Sequence, residues 1–145
     1  MSAPTAAELC RERFPVGREE SLTKTVTEAD VVAFAGVSGD WNPVHVDAEY
    51  AARTRFGQRV MHGMFSAALI SNVLGTRLPG PGAVYLGQTL RFRAPVFIGD
   101  TLKVTARVKA QRDDRPLLTI ETIVTNQKGD VTTEGEATVL YEPLP

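Results

Sequence analysis

Polar and apolar residues alternate cleanly in the second half of the chain, and in the first half they do not. In "TLKVTARVKAQ", residues 101–111, Leu102, Val104, Ala106 and Val108 point one way while Lys103, Thr105, Arg107 and Lys109 point the other. A period of two marks a strand with one wet face. Asp113-Asp114 makes a turn, "PLLTIETIVTNQ" reads as the next strand, "KGD" turns again, and "VTTEGEATVLY" reads as the last. Upstream, "AVYLGQTLRFRAPVF" reads as a further strand, broken or bent at Pro95 because proline has no N–H for the ladder.

The first half reads as helices and irregular turns. "TEADVVAFAGVSGD" offers Thr27 as N-cap, with Glu28 and Asp30 in the first turn, where carboxylates suit the positive end of the helix. Gly36 and Gly39 weaken and end it. Asp47 is placed to cap a short second helix, "AEYAARTRF", before a turn at Gly57. "MHGMFSAALISNVLGTRL", residues 61–78, is long enough for four turns and stops at "PGPG". Its apolar residues, from Met64 and Phe65 through Ile70 to Val73 and Leu74, lie nearly all the way round, as in a buried helix. Short helices, one buried helix and a run of antiparallel strands make an α+β class. Internal repeats, low-complexity segments and linkers are absent from the sequence, which predicts a single domain over residues 1–145, with 1–19 as an N-terminal extension.

Composition narrows the function. The chain has 145 residues, enough for one real core, with 43% hydrophobic and 23% charged positions. A formal net charge of −1 provides no bulk field for nucleic acid or an acidic membrane. Cys10 is the one cysteine, so no internal disulfide can form and nothing requires an oxidising compartment. The start, "MSAPTAAELC", lacks the basic and apolar regions of a signal peptide, and no stretch has eighteen consecutive apolar residues. The expectation is a cytoplasmic protein with no membrane span. Two histidines and one cysteine also argue against a zinc or haem site.

One short segment carries candidate chemistry. "SGDWNPVHVD", residues 38–47, places Asp40 five positions before His45. An extended strand would hold the two roughly 17 Å apart. Gly39, however, permits an unusual backbone angle, Pro43 fixes its own φ and pushes Asn42 out of the helical region, and Asn42 can fold the segment back as an Asx-turn. A loop bent in this way aims both side chains at one point. An isolated D-x₄-H is most often a polar turn; with "HGM" downstream the pair reads as a proton-handling site. Gly63 sits at the start of the buried helix, where free N–H groups and the positive dipole end point outward. His62, just before it, is the other histidine of the chain and a second candidate acid/base.

"SGDWNPVHVD", "VMHGMFSAALISNVLG" and "YLGQTLRFRAPVFIGDTL", in that order, resemble the MaoC-like, (R)-specific enoyl-CoA hydratase family. The resemblance covers roughly residues 20–142. Its most specific motif is D-x-N-P-x-H, here Asp40, Asn42, Pro43 and His45, supported by "HGM" at 62–64 and by Phe92 to Asp100. It implies a hot-dog fold, a long central helix wrapped by an antiparallel sheet. It also implies a homodimer joined sheet edge to sheet edge. Asp40 and His45 are then the acid–base pair, which leaves His62 a structural or capping histidine, with the Gly63 N–H the oxyanion donor and Asn42 and Ser71 supporting groups. Leu74 and Tyr85 become acyl-pocket walls. The substrate is an acyl-CoA thioester that brings its own coenzyme A, so neither cofactor nor metal is expected. The same chemistry on acyl carrier protein is the nearest alternative. A hot-dog thioesterase would need a carboxylate on the buried helix, and residues 61–78 contain none. A non-catalytic acyl-thioester binding domain would tolerate loss of Asp40 or His45, and both are present. Arg53, Arg55, Arg59, Arg91 and Arg93 are open candidates for the phosphates of coenzyme A.

Overall fold

The alternating segments become the centre of a six-stranded antiparallel sheet. A computed structural model describes residues 2–145. In chain order the elements are α1 (Ala6–Arg13), β1 (Glu19–Thr25), α2 (Glu28–Ser38), α3 (Pro43–Val46), α4 (Ala48–Ala52), α5 (Gly63–Thr76), β2 (Ala83–Gln88), β3 (Arg91–Phe92), β4 (Thr101–Gln111), β5 (Leu117–Thr125) and β6 (Val131–Tyr141). The sheet runs β1-β4-β5-β6-β2, and the short β3 also pairs with β6. The face predicted to be dry is dry: Leu102, Val104, Ala106 and Val108 are all buried, followed by Leu118, Ile120 and Val124 on β5 and Ala137 and Val139 on β6.

Helix α5 packs on that face. Phe65, Leu69, Ile70, Val73 and Leu74 join the sheet residues in one cluster, which also takes in Cys10, Phe14 and Val31. This is the hot-dog plan, a central helix held by a curved antiparallel sheet. The all-round apolar sequence of α5 is only half used, however. Met64, Ala68, Ser71 and Asn72 face away from the sheet and stand exposed. One sheet covers one side of a helix, and the other side remains open in the single chain. Among the described residues no helix is long and apolar enough to cross a membrane.

The N-terminal caps follow the sequence. Thr27 accepts from the Asp30 amide and Asp30 returns the bond, a complete capping box. Asp47 accepts from Glu49 and Tyr50, although α4 ends at Ala52, well short of Gly57. Two differences concern strands. The stretch 83–97 is interrupted around Pro95, since β3 ends at Phe92, but it breaks earlier as well, at Thr89-Leu90, after a bulge between Tyr85 and Gly87. The reason lies on the partner strand: a Cβ at Gly135 would collide with the Thr89 carbonyl, so glycine there lets the kinked backbone press in. Thr89 is held by β6, its N–H donating to Glu136 O and its Oγ1 accepting from Glu136 N. The other difference is the start of the chain. Residues 1–19 contain α1, whose Ala7 and Cys10 are buried, and β1 begins at Glu19 as the edge strand on β4.

Candidate active site

The loop between α2 and α3 is built by local rules. Gly39, at φ 77°, takes the left-handed conformation that ends α2, and its N–H donates to Ala35 O. Asp40 Oδ1 then accepts from the Asn42 amide at 3.1 Å, and Asn42 Oδ1 accepts from the Val44 amide at 3.0 Å. Asn42 is thereby the N-cap of α3, with Pro43 at its first position. Those two side-chain-to-backbone bonds fold five residues back on themselves. His45, in the only turn of α3, ends up facing Asp40.

The His45 ring is oriented by its other nitrogen. Nδ1 lies 2.7 Å from the Val60 carbonyl, which can only accept, so Nδ1 carries the proton. In the neutral ring Nε2 is therefore a bare lone pair. It looks at Asp40 Oδ2 across 3.6 Å, too far for a direct hydrogen bond. Two acceptors facing each other at that distance are complementary to one molecule that donates twice. Water is such a molecule, and its oxygen would keep lone pairs free for a third party. Asp40 both satisfies a loop amide and reaches the histidine, so the turn and the proton-handling site are the same object. Arg59 stiffens the arrangement, forking to Glu28 at 2.8 and 3.0 Å while its Nε donates to His45 O at 2.6 Å.

Gly63 opens α5, and the preceding segment is pinned on both sides: Val60 N donates to Val44 O and Met61 N to Val96 O. As first residue of the helix, Gly63 has an N–H without an intrahelical acceptor. A side chain there would press on Phe92, whose ring would lie 3.2 Å from the new Cβ. His45 and Gly63 line one cavity of about 310 Å³, together with Ser66, Met61, Val60, Phe92, Val96 and Thr133. His45 and the helix end thus share one space, and Asp40 reaches it only through its 3.6 Å approach to the His45 ring.

The remaining candidates scatter. Ser71 is on the open side of α5, away from this cavity. Leu74 is buried in the core. Tyr85 lines a second, shallow cleft with Met64, Ala67 and Leu86, donates to Gln88, and has its phenol pushed up by burial. The serine in the cavity is Ser66, which the sequence reading passed over; its i+3 spacing from Gly63 was the available signal. Of the arginines, Arg59 and Arg93 are tied to Glu28 and Glu134. Arg55 lies over Phe56 and lines the Gly63 cavity. A larger hollow of about 470 Å³ lies over β4, β5 and β6. Its Glu134 and Glu136 pair with Arg93 and Lys109, and no histidine lines it, so it has no carboxylate–imidazole pair like that of Asp40 and His45.

A hot-dog domain with a carboxylate and an imidazole facing each other near a helix N-terminus has the groups for acid–base chemistry, and comparison with known proteins gives its family. The profile of the MaoC like domain matches residues 15–132. The (R)-specific enoyl-CoA hydratase of Rhodospirillum rubrum is 51% identical over 129 residues, 89% of each chain. The solved structure of an (R)-hydratase from Aeromonas caviae, described as involved in polyhydroxyalkanoate biosynthesis, superposes with a TM-score of 0.86 at 43% identity, covering 88% of this chain and 97% of that one. A mitochondrial 3-hydroxyacyl-[acyl-carrier-protein] dehydratase of Arabidopsis thaliana is 34% identical over 125 residues, 84% of this chain and 74% of that protein. This chain belongs to the MaoC-like domain family.

Proposed function

We infer that this chain is an (R)-specific enoyl-CoA hydratase, which adds water reversibly to a trans-2-enoyl-CoA and yields the (3R)-hydroxyacyl-CoA. The observation that carries the reading is the pair of facing acceptors, Asp40 Oδ2 and His45 Nε2, 3.6 Å apart, with His45 lining one cavity together with the Gly63 end of α5. In the substrate the double bond is conjugated with the thioester carbonyl, which makes C3 electrophilic. Water bound between the two acceptors gives its oxygen to C3 while one of them takes a proton. Negative charge builds on the thioester oxygen as this happens, and the Gly63 N–H, at the positive end of the helix, stabilises it. A proton then passes from the pair to C2. The sum is H on C2 and OH on C3, with no oxidant, metal or cofactor consumed; coenzyme A arrives and leaves on the substrate.

Both groups come from one loop, so the addition is syn. Crotonyl-CoA hydrated in D₂O is the direct test. It should give one enantiomer, the 3R alcohol, carrying one deuterium at C2 added from the same face as the oxygen. Anti addition would place acid and base on opposite faces and overturn the one-loop pair. A 3S product with syn addition would retain the pair and overturn the specificity. Parallel assays with enoyl groups on acyl carrier protein separate the two carriers; faster turnover on the protein carrier would move the chain to the dehydratase reading that the Arabidopsis relative represents.

We also propose that the working unit is a homodimer in the cytoplasm. Met64 on α5, Tyr85 and Leu86 on β2, and Phe92 on β3 are all exposed beside the β2 edge of the sheet. An unpaired edge flanked by large apolar side chains favours pairing with a second copy. Light scattering should give twice the chain mass at micromolar concentration. A fully active monomer would reject the dimer.

A further inference from the structure

We propose that His62 is a positioning residue that locks the acid–base loop to the oxyanion end of α5, a role that rests on the hydratase reading of the site. His62 is almost fully buried and occupies the N-cap position of α5, yet its side chain makes no capping bond. The ring turns outward from the helix instead. Its Nε2 lies 2.9 Å from the main-chain oxygen of Asp40, which can only accept, so Nε2 is the N–H donor. Nδ1 is consequently a lone pair in the neutral ring, and it is buried with no partner. A lone unpaired nitrogen in a core is rarely tolerated without a reason. Here the reason is what the rest of the ring does.

The ring stacks on His45 with centroids 3.8 Å apart and planes 27° from parallel. Phe34 of α2 packs against it as well, at 5.0 Å. One residue thus grips the carbonyl of the acid, the face of the base, and, through the next peptide bond, the Gly63 amide. No other described side chain hydrogen-bonds to the Asp40 backbone from outside its own loop; Ser38 accepts its amide from two residues away. Half of the Asp40 side chain is exposed, so its direction depends on that backbone being held. The ligand atoms of Asp40, His45 and His62 lie within 4.8 Å of one another, but stacked rings send their in-plane lone pairs along near-parallel planes. That geometry suits a fixed spacing better than convergence on one ion.

Two substitutions separate the contributions. His62→Phe keeps a flat ring between His45 and Phe34 and removes the donor to Asp40. His62→Gln supplies an N–H near the place of Nε2 and removes the ring. With the donor as the lock, His62→Phe should lower kcat about ten- to hundredfold with KM within about twofold, the signature of misplaced reacting groups. His62→Gln should recover most of that loss. Amide hydrogen exchange at Asn42 and Val44 should quicken in His62→Phe and stay near wild type in His62→Gln. His62→Leu replaces His62→Phe if the latter does not fold. Wild-type kcat in the donorless variant, or equal losses in both variants with a raised KM, would overturn the proposal. The exchange measurement needs no substrate, so it stands apart from the hydratase reading, which Asp40→Asn tests by itself: an active Asp40→Asn enzyme removes the acid–base pair, whereas unchanged loop exchange removes the lock.

Discussion

Two regions of this molecule must each fix the direction of side chains, and they do it by opposite means. Along β4, β5 and β6 the direction is set by the pleat: every second residue faces α5, and each strand is flanked by paired neighbours. The information is redundant, since moving one side chain inward commits the whole strand. Between Gly39 and His45 the direction is set bond by bond. Asp40 holds Asn42, Asn42 holds Val44, Val60 holds the His45 ring, and His62 holds the Asp40 carbonyl. Each of those bonds is made once. The sheet therefore carries stability and the loop carries chemistry, and single substitutions should fall cleanly on one side or the other.

The sharpest way to break that division is in the loop. Asp40→Asn and His45→Ala should each lower kcat by about 10²–10⁴, the range for general acid–base groups, and in Asp40→Asn thermal unfolding should stay near wild type. Half of the Asp40 side chain is exposed and it lies outside the apolar cluster, so little packing is lost there, whereas His45→Ala removes a ring stacked on His62 and should lower Tm by a few degrees as well. The two act on one water, and the double variant should lose less than the product of the single losses. Steady-state kinetics beside calorimetry checks this. A well-folded Asp40→Asn enzyme with near-normal turnover would end the assignment.

The converse experiment is in the sheet. Ile120 is fully buried on β5, and Ile120→Ala should cost about 2–5 kcal/mol of stability through lost contacts and the cavity left behind. Denaturant titration should show the loss, and kcat per folded molecule should stay near wild type. Equal damage to turnover would mean that the two regions are coupled through α5 rather than divided.

The same contrast explains what the sequence made legible. "TLKVTARVKAQ" is β4 from end to end, because a period of two is visible without any knowledge of neighbours. β1 was not visible: "EESLTKT" has one large apolar residue, Leu22, and as an edge strand it is held by the backbone ladder on β4. α1 was missed for a similar reason, being half charged and anchored by the two small residues Ala7 and Cys10. In the site, the motif brought out Asp40, His45 and Gly63, but not the 3.6 Å between the first two, which depends on Val60 fifteen residues further on. The ring of His62 turning away from the helix it precedes is a tertiary fact with no local signal.

The smallest effect should come from the residue that joins the two modes. Asn42 is neither catalytic nor core; its Oδ1 caps α3, a helix of four residues that carries His45. Replacing an N-cap asparagine by alanine costs about 1 kcal/mol. In a long helix packed on a core that cost would appear as a drop of a few degrees in Tm. Here α3 has no buried residue, so the cost falls on the local equilibrium between a formed and a frayed turn. Asn42→Ala should therefore leave Tm almost unchanged and lower kcat several-fold, since His45 faces Asp40 only while the turn is formed. Asn42→Ser, which restores a capping oxygen, should bring most of the activity back. A lowered Tm with unchanged kcat would show that α3 is held by its surroundings and that the loop shares the redundancy of the sheet.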